Sequence, residues 1–198
     1  MAAKTPQKNP RRYDLYFRAD GKIFGLRLAD HGITISDARI DWVADGQHDR
    51  GRLDSIVAVH LQTGGAWQAP LATCRITFCD GMTLLVIDGN SLGARDDEQA
   101  DIYGAFVDDL HRRLAATNST ASFTAGYTET QYRITLVCGL LLAAMFLGIP
   151  LVVLFIKPDA QLLLLFMMGA ALLWPLWTML QKNAPRSYTP AQLPDDLL

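Results

Sequence analysis

The sequence predicts an α+β fold in which an antiparallel sheet, closed by one helix, precedes two transmembrane helices. Short alternating segments bounded by turn residues fill the chain up to about residue 90. The apolar residues then recur at helical spacing in "DDEQADIYGAFVDDLHRRLAA". Finally, the run from Arg133 to Lys182 carries almost no charge between its ends. Strands followed by helices are typical of the α+β class.

The strand predictions depend on alternation and on turn signals. "KIFGLRLA" alternates, "DHG" is a turn, and "ITIS" and "ARIDWVA" are β-rich, followed by the polar loop "DGQHDRG". "LDSIVAVHLQ" is the next strand, and a Gly-rich connection follows it. "ATCRITFC" and "MTLLVID" flank Asp80 and Gly81, which are a strong hairpin signal. About six or seven strands joined mostly by tight turns predict an antiparallel sheet.

The helix predicted from about Asp97 to Ala115 is amphipathic. Asp96 or Asp97 can cap its N-terminus, and the acidic first turn and basic last turn match the helix dipole. We therefore expect its acidic side chains to face solvent and not to act as catalytic carboxylates. The apolar stripe consists of Ile102, Tyr103, Phe106, Val107, Leu110 and Leu114.

Two spans explain the apolar run better than one. A membrane core about 30 Å thick needs roughly 20 apolar residues in a helix, which Ile134–Ile156 and Ala160–Leu180 each supply. Lys157, Pro158 and Asp159 lie between them, and a proline cannot continue a helix. The sequence thus predicts a transmembrane hairpin. Two further prolines, Pro150 and Pro175, are expected to kink the spans.

The flanking residues predict the orientation of the hairpin. Arg133, Lys182 and Arg186 lie on the side of the termini, and Lys157 lies in the turn. The positive-inside rule places both termini in the cytoplasm, and the start of the chain has no apolar segment typical of a signal peptide. We expect a bacterial inner-membrane protein. The predicted anchors at the membrane interface are Arg133, Trp174, Trp177 and Lys182.

Small residues recur at helical spacing within the spans. Gly139 and Ala143 are one turn apart, as are Ala144 and Gly148, and Gly169 belongs to a similar group in the second span. Small residues let helix backbones approach closely in lipid. Two interpretations stay open: these residues pack the two spans together, or they form a face for another membrane protein or for a second copy of the chain.

Composition argues against several classes of function. A net charge of −2 gives no electrostatic basis for nucleic-acid binding. The three cysteines and four histidines show no metal-ligand or disulfide spacing, so neither a metal nor a cofactor is expected. None of the phosphate-loop, zinc-protease or serine-nucleophile motifs is present in the sequence. We therefore do not expect an enzyme.

Changes in composition divide the chain into five segments. A polar lead-in precedes the domain, a linker rich in Ser and Thr follows it, and a polar tail follows the spans. The predicted boundaries are 1–12 for the lead-in, 13–117 for the domain, 118–132 for the linker, 133–181 for the hairpin and 182–198 for the tail.

Residues 13–116 resemble the pleckstrin-homology-like (PH-like) domains of bacterial membrane proteins. The similar pieces are "LRLADHGITIS", "GRLDSIVAVHL", "CRITFCDGMTLLVID" and the closing helix "YGAFVDDLHRRL". The resemblance implies a sheet sandwich or barrel that binds lipid or protein and has no enzymatic activity. In the first hairpin only Lys22 and Arg27 match the basic pattern of phosphoinositide binders, so that specificity is not implied. Arg50 and Arg52 could contact anionic lipid, or could belong to a solvated loop.

These observations predict a membrane-anchored interaction module. It would bind or scaffold a membrane protein or a lipid at the cytoplasmic face. The alternative is an accessory subunit of a larger membrane complex, with the hairpin as its interface. A membrane-bound enzyme is the least expected of the three.

Overall fold

The computed structural model describes residues 10–19, 30–44, 46–64, 71–90, 96–117, 119–156 and 160–194. The described strands are β1 (Arg11–Ala19), β2 (Asp30–Ile35), β3 (Arg39–Ala44), β4 (Gln47–Arg52), β5 (Ile56–Gly64), β6 (Leu71–Phe78), β7 (Thr83–Ile87), β8 (Ser122–Ala125) and β9 (Arg186–Ser187). The described helices are α1 (Asp97–Ala116), α2 (Glu129–Ala143), α3 (Ile149–Ile156) and α4 (Ala160–Lys182).

The described strands form one mostly antiparallel sheet. Its order is β4-β3-β2-β1-β7-β6-β5-β8-β9. Two antiparallel meanders, β1 to β4 and β5 to β7, are joined where Phe17 on β1 pairs with Val86 on β7. The pairing of β5 with β8 is parallel. The predicted α+β class with an antiparallel sheet is therefore confirmed, with this one parallel exception.

Helix α1 packs its predicted stripe into the core. Phe106, Val107, Leu110 and Leu114 are fully buried, and Ile102 at the edge of the stripe is partly buried. Asp96 caps the helix and accepts a hydrogen bond from the backbone N–H of Glu98. The stripe is as predicted from the 3.6-residue period, and the cap is the first of the two predicted residues, Asp96 and Asp97.

Two segments of the sheet differ from the prediction. The predicted loop "DGQHDRG" instead contains β4, whose every residue pairs with β3, from Arg39↔Arg52 to Ala44↔Gln47. The prediction was wrong because polar residues are typical of loops, and this strand exposes all its side chains except Gly51. The first strand, β1, was missed although Tyr13, Leu15 and Phe17 alternate toward the core. The predicted strand "KIFGLRLA" lies outside the described residues.

Strands also occur beyond residue 117, where the sequence suggested a linker and a tail. β8 lies in the 118–132 segment, and β9 in the 182–198 segment. They pair with each other through Thr124↔Ser187 and Ala125↔Arg186. The chain divides into two compact units accordingly. The first comprises 1–125 together with 186–198, and the second comprises 126–185.

The second unit contains two helices long and apolar enough to cross a membrane. Glu129–Ile156 has a mean hydropathy of 2.7 and Leu163–Lys182 one of 1.9. Only 6% and 11% of their most apolar windows are buried, whereas a core helix of a soluble protein is mostly buried. The burial therefore favours the predicted spans over core helices.

The first of these helices is irregular just before Pro150. A π-helical stretch, Ala144–Gly148, joins α2 to α3, and the backbone N–H of Ile149 donates to the carbonyl of Ala144. A proline inside a helix lacks its N–H and crowds the carbonyl four residues earlier, here that of Phe146. A widened turn relieves this crowding, which explains its position. Pro175 lies inside α4, where the Thr178 hydroxyl donates to the Pro175 carbonyl.

Candidate functional site

Of the four basic residues predicted to contact a lipid or partner, two belong to the described residues. Lys22 and Arg27 lie outside the described residues. Arg50 and Arg52 lie on β4, a strand at one end of the described sheet, and both are exposed. They share one face of the strand, because residues two apart in a strand point the same way.

The facing strand adds a third arginine to this face. Arg39 on β3 is directly opposite Arg52, and Asp41 is directly opposite Arg50. The residue between them on β3, Ile40, points into the core. Arg39 was not predicted as a contact residue, because residues 45–51 were predicted to form a loop and a loop gives no cross-strand register.

The three arginines line a cavity of about 620 Å³ in the first unit. Its other lining residues come from the β2–β3 turn, the segment after β4 and the end of α1. They are Asp37, Ala38, Leu53, Asp54 and Thr117.

Two acidic side chains beside these arginines, Asp41 and Asp54, are each held by the arginine two residues before them. Arg39 Nε donates to Asp41 at 3.0 Å, and Arg52 Nε donates to Asp54 at 2.9 Å. The hydrogen bond from Arg52 lowers the pKa of Asp54 below its usual value. Arg50 has no hydrogen bond or ion pair within the described part of the chain, and Asp41, which is directly opposite it, is bonded to Arg39 instead.

A buried ionic network adjoins the cavity. Arg113 bonds both to Asp37, which lines the cavity, and to Asp109 on its own helix. Asp109 is 1% exposed and also accepts hydrogen bonds from Arg112 and from the hydroxyl of Tyr13. The expectation that the acids of α1 face solvent is wrong for Asp109. Its position four residues before Arg113 was the available signal.

This network changes the titration of Tyr13. Burial of its hydroxyl, together with the nearby charge of Asp109, raises the pKa of Tyr13 to about 12. The hydroxyl therefore stays protonated at neutral pH and serves as a permanent donor to Asp109. A donor and two arginines satisfy a carboxylate that would otherwise be costly to bury.

The predicted membrane-interface anchors lie near the ends of the apolar helices. Arg133 forms an exposed ion pair with Glu129 in the first turns of α2. Lys182 ends α4, and Trp174 and Trp177 lie on that helix with exposed fractions of 71% and 51%. These two indole rings also line an apolar groove of the second unit.

The predicted helix-packing residues differ in how closely they approach the neighbouring helix. A Cβ at Gly169 would lie 2.8 Å from the carbonyl oxygen of Phe146, so α4 lies directly against the π-helical stretch. A Cβ at Gly139 would lie 3.7 Å from Cδ2 of Leu176, an ordinary packing distance. A Cβ at Gly148 would meet nothing within 4 Å, and Ala144, like Gly148, belongs to the π-helical stretch.

The apolar groove runs between α2 and α4 and has a volume of about 360 Å³. Gly139 and Ala143 form part of its floor, and Leu140, Leu147 and Leu173 are among its other lining residues. Almost all of its surface is apolar, so it suits an acyl chain or the side of another helix.

Cys74, His48 and His60 lie in different environments. Cys74 is buried, which raises its pKa to about 12, and so it is unsuited to act as a nucleophile. His60 Nδ1 lies 2.9 Å from the Thr124 hydroxyl, and His48 is exposed on β4. Among the described residues no three His, Cys, Asp or Glu side chains are grouped as metal ligands.

The sequence matches no protein-family model and no curated protein.

Proposed function

We propose that this protein is a membrane-anchored interaction module. The hairpin of the second unit holds the PH-like first unit at the cytoplasmic face of a membrane, where it binds a membrane protein or a lipid. The observation that carries the proposal is the pair of long helices with exposed apolar side chains, in a chain that also has a separate α+β unit.

The architecture of the first unit supports a PH-like domain. The seven described strands β1 to β7 form two antiparallel meanders and precede the amphipathic helix α1 in chain order. The helix packs its apolar stripe on the sheet core. Such a domain is a binding module, and the arginine-lined cavity offers it a binding surface.

The alternative, an accessory subunit, is supported by the apolar groove. Gly139 and Ala143 line it at helical spacing, which would allow close approach of a further helix. In that case the hairpin, and not the first unit, would recognise the partner.

A capture experiment with three versions of the full chain tests the proposal. The wild type, Arg50→Gln in the cavity and Ala143→Leu in the groove are purified in mild detergent from the same membranes, and the proteins and lipids bound to each are quantified. We expect a stoichiometric protein or an enriched lipid that Arg50→Gln loses and Ala143→Leu keeps. Loss with Ala143→Leu alone would support the accessory subunit. The absence of any specific ligand, or turnover of a substrate, would contradict both.

A further inference from the structure

We propose that the cavity lined by Arg39, Arg50 and Arg52 binds the phosphate group of an anionic ligand, with Arg50 as its principal cation. This inference rests on the proposed function and gives the first unit its ligand chemistry. The phosphate could belong to a lipid headgroup or to a soluble phosphate compound, since both present the same oxygens to the arginines.

The register of β3 and β4 brings like charges together. Arg39 and Arg52 are directly opposite each other in the pair, an arrangement that destabilises a sheet unless a counter-charge is present. Arg50 adds a third positive charge to the same face. Asp41 and Asp54 compensate only in part, because ion pairs this exposed contribute little. A bound anion would remove the remaining repulsion.

The arginines retain unused hydrogen-bond donors. A guanidinium group has five N–H bonds in a planar fork. Arg39 uses its Nε on Asp41, and Arg52 uses its Nε and one Nη on Asp54. In the described part of the chain the remaining donors of these two, and all donors of Arg50, have no partner. Forked donors of this kind match the tetrahedral oxygens of phosphate in pairs.

The acidic residues of the cavity do not oppose an anion as free charges. Asp54 is bonded to Arg52, and Asp37 is bonded to Arg113, whose side chain is 7% exposed. Both carboxylates are thus bonded to an arginine, whereas Arg50 forms no ion pair in the described part of the chain.

The dimensions suit a small ligand. A volume of about 620 Å³ is within the range of sites for small ligands. Three arginines line this single cavity, so one multiply charged group could contact more than one of them. An extended acidic peptide would instead need cations spaced along a groove.

Calorimetric titration of the purified full chain in uncharged detergent tests the inference. The probes are inorganic pyrophosphate, dihexanoyl phosphatidylglycerol and dihexanoyl phosphatidylcholine, at low and at physiological ionic strength. We expect saturable binding of pyrophosphate, of the anionic lipid or of both. Arg50→Gln should weaken it about tenfold, which corresponds to about 1.4 kcal/mol.

Arg12→Gln is the matched control. Arg12 is an exposed arginine paired with Asp14, two residues later in the strand, and it does not line the cavity. The Arg12→Gln variant should have an affinity within about twofold of wild type, which corresponds to less than 0.5 kcal/mol. Arg50→Lys keeps the positive charge but loses the forked guanidinium donors. Its affinity should lie between those of wild type and Arg50→Gln.

The pattern of binding identifies the source of the phosphate. Binding of the anionic lipid without pyrophosphate indicates a headgroup, and binding of pyrophosphate alone indicates a soluble ligand. Equal weakening by Arg12→Gln and Arg50→Gln would overturn the site, as would equal affinity for the zwitterionic lipid or no saturable binding of any probe. A negative result in this titration would reject the phosphate site only. The proposed function is tested separately, by the capture of bound proteins and lipids.

Discussion

The hydroxyl of Tyr188 donates a 2.7 Å hydrogen bond to Nε2 of His111, although 77 residues separate them in the chain. The other ring nitrogen, Nδ1, lies 2.7 Å from the carbonyl of Val107 and must carry the proton of the neutral ring. The rings of both residues contact Phe123 on β8. The segment after the two apolar helices is therefore an integral part of the first unit.

Tyr188→Phe should destabilise the first unit. The change leaves the buried Nε2 of His111 without a donor, at a cost of about 1–3 kcal/mol. Hydrogen exchange of the full chain in detergent should show faster exchange in α1 and β8. Tyr132→Phe serves as a control, because the Tyr132 hydroxyl has no hydrogen-bond partner in the described part of the chain. Unchanged exchange in Tyr188→Phe would mean that the tail is not docked in solution.

Acid should weaken the same contact. Burial lowers the pKa of His111 below its usual value of about 6.5, against the opposing effects of the Val107 carbonyl and the charge of Asp108. The unfolded chain then binds the proton more readily, so the free energy of unfolding should fall as the pH falls below about 6.5. Thermal unfolding between about pH 7.5 and pH 5 measures this. His111→Gln should flatten the profile and exposed His48→Gln should not; identical profiles for all three would exclude His111 as the cause.

Gly51→Ala should disrupt the core beneath the cavity. A Cβ at residue 51 would lie 2.3 Å from Cε1 of Phe78, a buried ring that stacks on Trp42 at 5.9 Å. Phe78 stacks on Trp42 in the core, so its ring would have to shift against packed neighbours, and we expect a loss of about 1–3 kcal/mol in chemical denaturation. Gly64→Ala on β5 is the matched control, since its Cβ would meet only Gln62 at 3.8 Å. Equal stability of the two variants would show that the core can adjust to the methyl group.

Gly169→Ala should separate the two apolar helices. Its Cβ would lie 2.8 Å from the backbone oxygen of Phe146, an atom that cannot rotate out of the way. A cysteine pair introduced as Gly139→Cys and Leu176→Cys, with Cys138 and Cys79 replaced, reports on the contact by disulfide formation. We expect slower cross-linking in Gly169→Ala, and an unchanged rate in Gly148→Ala, whose Cβ would meet nothing within 4 Å. Equal rates would show that residue 169 does not set the helix separation.

Cysteine labelling tests the predicted orientation of the hairpin. Cys79 and Cys138 are exposed and need replacement, whereas buried Cys74 can stay. A single cysteine at Asp159 should react with a membrane-impermeant maleimide in intact cells, and one at Ser187 should not, since the excess of positive charge predicts cytoplasmic termini. Labelling at residue 187 alone would invert the orientation and exclude a cytoplasmic role.

Individual residues of the candidate site could be predicted from the sequence, but their grouping on one face could not. The spacing Arg-x-Asp recurs at Arg12, Arg39 and Arg52. Where both residues lie in a strand, as at Arg12 and Arg39, this spacing puts both charges on one face. Recognising the pattern required knowing that residues 47–52 form a strand. Their polar composition hides this, because an edge strand with an exposed face has little apolar alternation.

The sequence by itself determined the local elements. The stripe and the Asp96 cap of α1, the alternating strands β5 to β7 and the two long apolar helices all follow from periodicity, capping and length within one segment. The tertiary structure alone decided that β8 and β9 join the sheet, that Arg39 faces Arg52 and that Asp109 is buried. Each of these depends on which distant strand or side chain is available as a partner. That availability is a property of the packed chain, and no local period encodes it.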